Sequence, residues 1–248
     1  YKALYHHNLS VDLISVEEDL SKYDMVIAPL LHMVKDDFHE KVEAFVEGGG
    51  SFVTTTLSGL VDEIDNATLE GYPGKLRKVL GIWVEEIDSL APEEYNTICV
   101  NDNYPDLKGN YKCNLVFDVM HTETAETVGV YGSDFYEGTP VLTKNHFGKG
   151  EAWYIGSDPE LELLVKLFGE ITEKHGISAP LAFESGVEVV TRTKENKDYL
   201  FILNHSNETK EAIATETYTS LLDNKSISKD DKIKVAANDV VILERNHH

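Results

Sequence analysis

The sequence has 248 residues, with 22 Lys and Arg against 44 Asp and Glu, which gives a formal net charge of −22 at pH 7. Nucleic acids and anionic membranes are polyanions that proteins bind through Lys and Arg, so this charge argues against both as partners. Hydrophobic residues make up 42% of the chain, enough to bury a core, and the length allows one large domain or two smaller ones. No apolar run reaches the ~18 residues of a membrane-spanning helix.

The two ends and the cysteines bear on cellular location. No basic segment followed by an apolar one opens the chain, so we expect no signal peptide. Two cysteines, Cys99 and Cys113, are too few for a disulfide framework and fit a reducing compartment, so the expected location is cytoplasmic. The chain begins at Tyr1 inside a helix-like stretch and ends in His247-His248, which resembles the stub of a purification tag. We therefore expect a piece of a longer protein.

Residues 1–180 alternate strand-like and helix-like segments, which is typical of an α/β domain with a mainly parallel sheet. The helix predicted over residues 36–47 (DDFHEKVEAFVE) has apolar residues at nearly i, i+4, i+7 spacing, and three glycines then end it. The predicted elements are, in chain order, strands over residues 11–16 and 25–31, that helix, a strand over 51–56, a short helix over 75–80, hairpins over 95–151, a strand over 152–155 and a helix over 159–175.

After residue 180 the helical period ends and short strand-like segments alternate with polar turns. The predicted strands cover residues 186–193, 198–205, 211–215, 217–222 and 240–244. We therefore predict two domains, an α/β domain over residues 1–180 and a small all-β sandwich over residues 181–248. A β domain of this size is marginally stable alone.

The turn after the predicted strand 51–56 is where an α/β hydrolase or amidotransferase would carry its nucleophile. It reads TTTLSG, with neither a Cys nor a Gly-x-Ser-x-Gly elbow, and Ser58 is interpreted as a turn residue. Residues 156–160 (GSDPE) resemble the Gly-x-His-Pro-Glu end motif of class I glutamine amidotransferases, but Asp158 stands where the base would be. A self-standing amidotransferase-like enzyme would thus lack both nucleophile and base.

Other kinds of site find no support in the sequence. We interpret Cys99 and Cys113 as buried small apolar residues, and no His-x₃-His or His-Glu-x-x-His spacing predicts a metal site. Gly48-Gly49-Gly50 follows a helix and precedes a strand, the reverse of a phosphate-binding loop. The acidic pairs are expected to be solvated surface groups; they are Glu85-Glu86, Glu93-Glu94 and Asp158/Glu160. No catalytic, cofactor-binding or metal-binding residue is predicted, and no cofactor.

Several strings nevertheless occur in an order that resembles one known family. They are residues 11–14 (VDLI), 23–29 (YDMVIAP), 46–55 (VEGGGSFVTT), 58–63 (SGLVDE), 71–74 (GYPG) with Leu76, 80–81 (LG), 145–150 (NHFGKG) and 154–156 (YIG), then 186–189 (GVEV) and 199–205 (YLFILNH). The first eight resemble the trimerisation domain of family 42 glycoside hydrolases, the bacterial β-galactosidases. The last two resemble the small C-terminal β domain of those enzymes.

The resemblance implies an amidotransferase-like, flavodoxin-like α/β domain that packs protomers into a homotrimer. It also implies that two glutamates in a TIM barrel N-terminal to this region cleave terminal β-D-galactosides with retention, and that zinc cysteines, where present, lie in that barrel. A barrel needs about 250 residues, so this chain has no room for it and no catalytic residue is carried over. The expected role is that of a non-catalytic oligomerisation and C-terminal region.

Two surfaces are candidates for the trimer contact, namely residues 57–81, with Tyr72, Pro73 and Leu76, and the aromatic loop 131–136. We expect an apolar interface core with charges at its rim. One alternative to this role is the self-standing enzyme considered above. The other is a carbohydrate-binding module, for which the C-terminal aromatics Phe183, Tyr199, Phe201 and Tyr218 would have to stack on sugars.

Overall fold

The structure is a computed structural model that describes residues 1–35, 37–68, 71–183 and 186–246. The helices are α1 Lys2–Tyr5, α2 Phe38–Gly48, α3 Arg77–Leu80 and α4 Leu161–Lys174, and 3₁₀ turns cover Leu20–Lys22 and Gly74–Leu76. The strands are β1 Met25–Ala28, β2 Ser51–Thr55, β3 Ile82–Ser89, β4 Asn96–Val100, β5 Asn110–Thr122, β6 Glu126–Tyr131, β7 Pro140–Phe147, β8 Gly150–Ile155, β9 Ser157–Pro159, β10 Val187–Lys194, β11 Lys197–Asn204, β12 Lys210–Ile213, β13 Tyr218–Ser220, β14 Ser226–Ile227, β15 Lys232–Val235 and β16 Val240–Asn246.

The chain packs as two compact units, which are described separately. One unit is Ile14–Ile171, and the other combines Tyr1–Leu13 with Thr172–His248. The N-terminal segment is tied to the second unit by a hydrogen bond of 2.9 Å from the Thr191 N–H to Ser10 Oγ. The predicted domain division at residue 180 stays a prediction. Within the described residues, no helix is long and apolar enough to cross a membrane.

Unit Ile14–Ile171 is built on a nine-stranded sheet in the order β1-β2-β8-β7-β6-β4-β5-β3, with β9 paired to β5. Strands β1, β2 and β8 run parallel, and the remaining pairs are antiparallel. The predicted α/β class with an amidotransferase-like fold is confirmed, and the sheet is mixed. Its antiparallel share exceeds what the alternation of segments predicts, because tight turns such as Gly148-Lys149 between β7 and β8 force antiparallel pairing.

Helix α2 confirms the helix predicted over residues 36–47, of which Asp36 lies outside the described residues. Its buried face consists of Phe38, Val42, Phe45 and Val46, which join the core against β2 and β8. Burying such side chains contributes about 1.5–3 kcal/mol each. The helix ends where Gly49 takes a φ of 124°. The spacing of the apolar residues therefore predicts both the helix and the face that it buries.

The strand predicted over residues 11–16 is wrong. Residues 11–15 have no regular secondary structure, Leu13 is 95% exposed and Ile14 is 39% exposed. A short apolar run forms a strand only where another strand supplies hydrogen bonds and a core covers its face. These residues have neither, and the division between the two units falls between Leu13 and Ile14.

The second unit confirms the predicted all-β sandwich. A five-stranded antiparallel sheet has the order β10-β11-β16-β13-β14, and β12 pairs with β15 in a second sheet. Alternate residues of β11 are buried, and its Leu200 and Ile202 share one core with Ile233 and Val235 of β15. Strands β14 and β15 were not predicted, although the Lys-Ile-Lys-Val alternation of β15 is a strand signal.

Candidate functional site

The carboxyl ends of the parallel strands β1, β2 and β8 meet at one edge of the sheet. Open α/β sheets bind their ligands at this edge. Here it is formed by residues 28–31, 54–59 and 155–158, together with residues 114–117, where an irregular part of β5 pairs with β9. We call this surface the carboxyl edge, and any catalytic group inherited with the fold would lie on it.

The turn after β2 has the backbone of an elbow but not the side chain of a nucleophile. Leu57 lies at its apex with a φ of 62°, followed by Gly59 with a φ of 77°. Ser58 is fully buried, its Oγ lies 2.7 Å from Thr54 Oγ1, and it accepts the N–H of Leu31 at 2.9 Å. Ser58 therefore ties the ends of β1 and β2 together, as a turn residue does. The strained apex position, where a nucleophile would lie, is occupied by a leucine.

Asp158, which stands where an amidotransferase base would be, lies in β9 opposite Asn114 of β5. The residue is exposed overall, and partial desolvation of its carboxyl group by neighbouring atoms raises the pKa of that carboxyl. Next to it, Glu160 is held in the sheet, since its carboxylate accepts the Lys112 N–H at 2.8 Å and its own N–H donates to the Lys112 carbonyl at 2.8 Å. Through these two hydrogen bonds, Glu160 continues the pairing of β9 with β5, so residues 158–160 belong to the sheet.

A buried carboxylate lies beneath the carboxyl edge. Asp118 of β5 is fully buried and accepts three hydroxyl hydrogen bonds, from Thr56 at 3.0 Å, Tyr72 at 3.1 Å and Tyr154 at 2.6 Å. Desolvation by burial raises the pKa of Asp118 to about 6, although the three hydrogen bonds lower it. The Asp118 N–H also donates to the Gly156 carbonyl at 2.8 Å. We call Asp118, Thr56, Tyr72 and Tyr154 the Asp118 cluster.

The Asp118 cluster connects three parts of the unit that are distant in sequence. Thr56 belongs to the elbow, Tyr72 to the irregular stretch 57–81, and Tyr154 to β8. Since Asp118 and Tyr154 are completely buried, no substrate reaches them, and the cluster fixes the backbone under the carboxyl edge. Sequence reasoning missed it; the available signal was a lone Asp within the apolar strand run LVFDVM.

The two cysteines are free thiols. Cys113 is buried, which raises the pKa of its thiol to about 11, and Cys99 is half-buried. A thiol with a raised pKa is a poor nucleophile, and this agrees with its interpretation as a small apolar residue. Among the residues that the structure describes, no three His, Cys, Asp or Glu side chains are placed to hold a metal ion.

Most of the side chains proposed for the trimer contact are turned inward. Leu76 is fully buried in the core, Pro73 is buried, and the Tyr72 hydroxyl binds Asp118. In the aromatic loop, Tyr131 and Tyr136 are both 1% exposed. Four of them, Pro73, Leu76, Tyr131 and Tyr136, are too deeply buried to contact a partner, whereas Tyr72 is half-buried; the two candidate surfaces themselves stay predictions. Phe135, 69% exposed, and Ile64, 71% exposed, are the large apolar side chains that these two stretches present to solvent among the described residues.

The C-terminal aromatics form no open sugar platform. Tyr218 is 1% exposed, and Phe183, Tyr199 and Phe201 are half-buried. Stacking on a sugar needs an accessible aromatic face. The arrangement gives no support to a carbohydrate-binding module.

Comparison with known proteins agrees with the fold of both units. The family model for the β-galactosidase trimerisation domain matches residues 1–178, and the model for the β-galactosidase C-terminal domain matches residues 186–245. The chain belongs to the family 42 β-galactosidases.

Its relatives in this family are much longer than the chain. The β-galactosidase BgaP of Planococcus sp. (strain L4) is 50% identical over 246 residues, which cover 99% of this chain and 36% of that protein. BgaA of Planococcus sp. (strain 'SOS Orange') is 57% identical over 208 residues, which cover 84% of this chain and 31% of that protein. The chain thus spans about a third of the length of these relatives.

The fold recurs in solved family 42 structures. The crystal structure of the β-galactosidase from Bacillus circulans sp. alkalophilus superimposes with a TM-score of 0.94 at 47% identity, over 98% of this chain and 36% of that one. A family 42 β-galactosidase named Gan42B superimposes with a TM-score of 0.90 at 31% identity, over 100% of this chain and 35% of that one.

Proposed function

We propose that this chain is the non-catalytic oligomerisation and C-terminal region of a cytoplasmic, homotrimeric β-galactosidase. The parent enzyme would hydrolyse terminal β-D-galactosides with retention, on a barrel that lies outside this chain and binds the galactoside. The observation that carries the proposal is the match of residues 1–178 to the trimerisation domain, combined with a span of 36% of BgaP.

The carboxyl edge supports a non-catalytic role. Its elbow carries Leu57 at the apex, and the buried Ser58 hydroxyl accepts hydrogen bonds from the Thr54 hydroxyl and the Leu31 N–H. We infer that the functional division lies near residue 180, between a trimerisation domain over residues 1–180 and a C-terminal domain over residues 181–248. The matches to residues 1–178 and 186–245 support this division. The charge of −22 disfavours nucleic acid and anionic membranes as partners.

The test uses the purified chain in two measurements. We expect no turnover of an aryl β-galactoside or of glutamine, and a trimer in sedimentation equilibrium. Hydrolysis of either substrate that a point mutation within the chain abolishes would overturn the non-catalytic role. A chain that stays monomeric at high concentration would show that the trimer contacts need the barrel or that the trimer assignment is wrong.

A further inference from the structure

Three leucines of the carboxyl edge have an unusual backbone. Among the described residues, eleven non-glycine residues have a positive φ, and eight of them are Asn, Asp or Glu. The other three are Leu30, Leu57 and Leu115, with φ values of 50°, 62° and 68°. Asn and Asp enter the left-handed region readily, whereas a bulky apolar residue there costs about 1–2 kcal/mol. All three strained leucines lie on one edge of one sheet.

Two of these side chains lie outside the core. Leu30 is 58% exposed and Leu115 is 52% exposed, whereas Leu57 is half-buried. The turn at Leu30 is fixed, since its N–H donates to Thr55 Oγ1 at 2.9 Å. Leu115 lies in the irregular part of β5, between the pairs Asn114 with Asp158 and Phe117 with Ser157. Backbone strain and exposed apolar surface both cost free energy, and such costs persist where they serve a function.

The segments that carry the leucines are free of charged residues. Residues 25–34, 51–61 and 113–117 contain no Asp, Glu, Lys or Arg, in a chain where 27% of residues are charged. Two copies of a chain with a net charge of −22 repel each other, and the repulsion is strongest within about 8–10 Å. Asp158 is the one charged residue of the carboxyl edge, and the segments around Leu30 and Leu115 form an apolar surface at which such copies can meet.

We propose that the carboxyl edge around Leu30 and Leu115 is the surface through which this chain binds a second copy of itself. The proposal rests on the proposed function, because the match of residues 1–178 to a trimerisation domain is the reason for taking another copy as the occupant. In a closed trimer the contact is heterologous, so the edge of one copy meets a different patch of the next. The edge that holds a ligand in related folds would here hold a protomer.

The test is the double variant Leu30→Asn/Leu115→Asn in the complete chain. Asparagine accepts a left-handed φ, so the substitution relieves backbone strain while it removes the apolar contact. We expect the self-association constant from sedimentation equilibrium to fall by about ten-fold or more. The thermal unfolding midpoint of the dilute chain should stay unchanged or rise, which distinguishes a lost contact from a damaged fold. The matched control is Leu222→Asn, at a leucine that is 60% exposed and has no positive φ, and it should associate like the wild type.

Each outcome of these measurements either supports or refutes the carboxyl edge as the interface. If the wild-type chain is trimeric and the double variant associates equally well, the leucine edge is not the interface, while the proposed function stands. If the wild-type chain is monomeric at every concentration, it binds no second copy of itself and the proposal for the carboxyl edge fails. If the double variant unfolds, the single variants Leu30→Gly and Leu115→Gly carry the same test, because glycine adopts positive φ without strain.

Discussion

At the scale of single residues, Asp118 is a carboxyl group whose environment differs strongly from water. Its carboxylate is fully buried and is held by three hydroxyl groups, and burial raises its pKa to about 6 from an ordinary value of 3.8. The folded chain therefore binds this proton more tightly than the unfolded chain. The stability that results is fully present below about pH 4 and is lost as the pH rises through about 6.

Replacing Asp118→Asn removes this titration. Between pH 7.5 and pH 4.5 we expect the free energy of unfolding of the wild type, relative to the variant, to rise by about 2 kcal/mol, because the folded state takes up the extra proton. Urea denaturation at both pH values measures the difference, and the many other carboxylates cancel in it. The control Asp106→Asn removes an exposed charge. If the difference in free energy of unfolding between the wild type and Asp118→Asn does not change with pH, or falls on acidification, the raised pKa of Asp118 is contradicted.

At the scale of elements, helix α2 and the β7–β8 hairpin approach each other at glycines. A Cβ atom on Gly150 would lie 2.2 Å from the Gly50 carbonyl oxygen and 2.3 Å from that of Val46. Both are backbone atoms, so they cannot move aside as a flexible side chain would. The residues GKG at 148–150 thus set how closely the end of α2 packs on the parallel part of the sheet.

The variant Gly150→Ala should therefore destabilise the chain by about 2–3 kcal/mol, since the helix must shift to admit one methyl group. The midpoint of urea denaturation measures the loss. Gly48→Ala is the matched control, because a Cβ there meets nothing within 4 Å, and its stability should be equal or slightly higher. Equal stability of both variants would mean that α2 and the β7–β8 hairpin can move apart to admit the methyl group without loss of stability.

At the scale of the whole molecule, the net charge of −22 opposes the proposed trimer. Ion pairs within the chain are mostly exposed, as in Arg77–Glu123 and Lys108–Asp102, and contribute little each. Long-range repulsion between copies is therefore the electrostatic effect that matters for assembly.

Added salt should strengthen the self-association of this chain. On going from about 0.02 M to about 0.3 M NaCl, the screening length falls from above 20 Å to about 6 Å, so the repulsion between copies weakens. Sedimentation equilibrium at both salt concentrations measures the association constant. An association that weakens with salt would indicate that charge pairs hold the copies together, rather than the apolar contact around Leu30 and Leu115.

The elements were predictable where the signal is local. The apolar period of α2 and the alternation in β11 identify a helix and a strand that the structure contains. The run at residues 11–15 has a similar local pattern and forms no strand, because Leu13 finds no core. A local apolar pattern therefore predicts a strand or helix correctly only where residues distant in the sequence supply the core that covers its apolar side chains.

The sequence by itself determined the family, the class of both units and the lack of a nucleophile at the elbow, because each depends on residue types in a fixed order. Only the tertiary structure decided which groups meet. Thr56 and Asp118 are 62 positions apart and bind each other inside the unit. The left-handed backbone of Leu30 and Leu115 likewise follows from strand ends and an irregular pairing that sequence spacing does not encode. Contacts between distant segments are fixed by the pairing of strands and the exclusion of water, which depend on the whole chain coming together and not on local spacing.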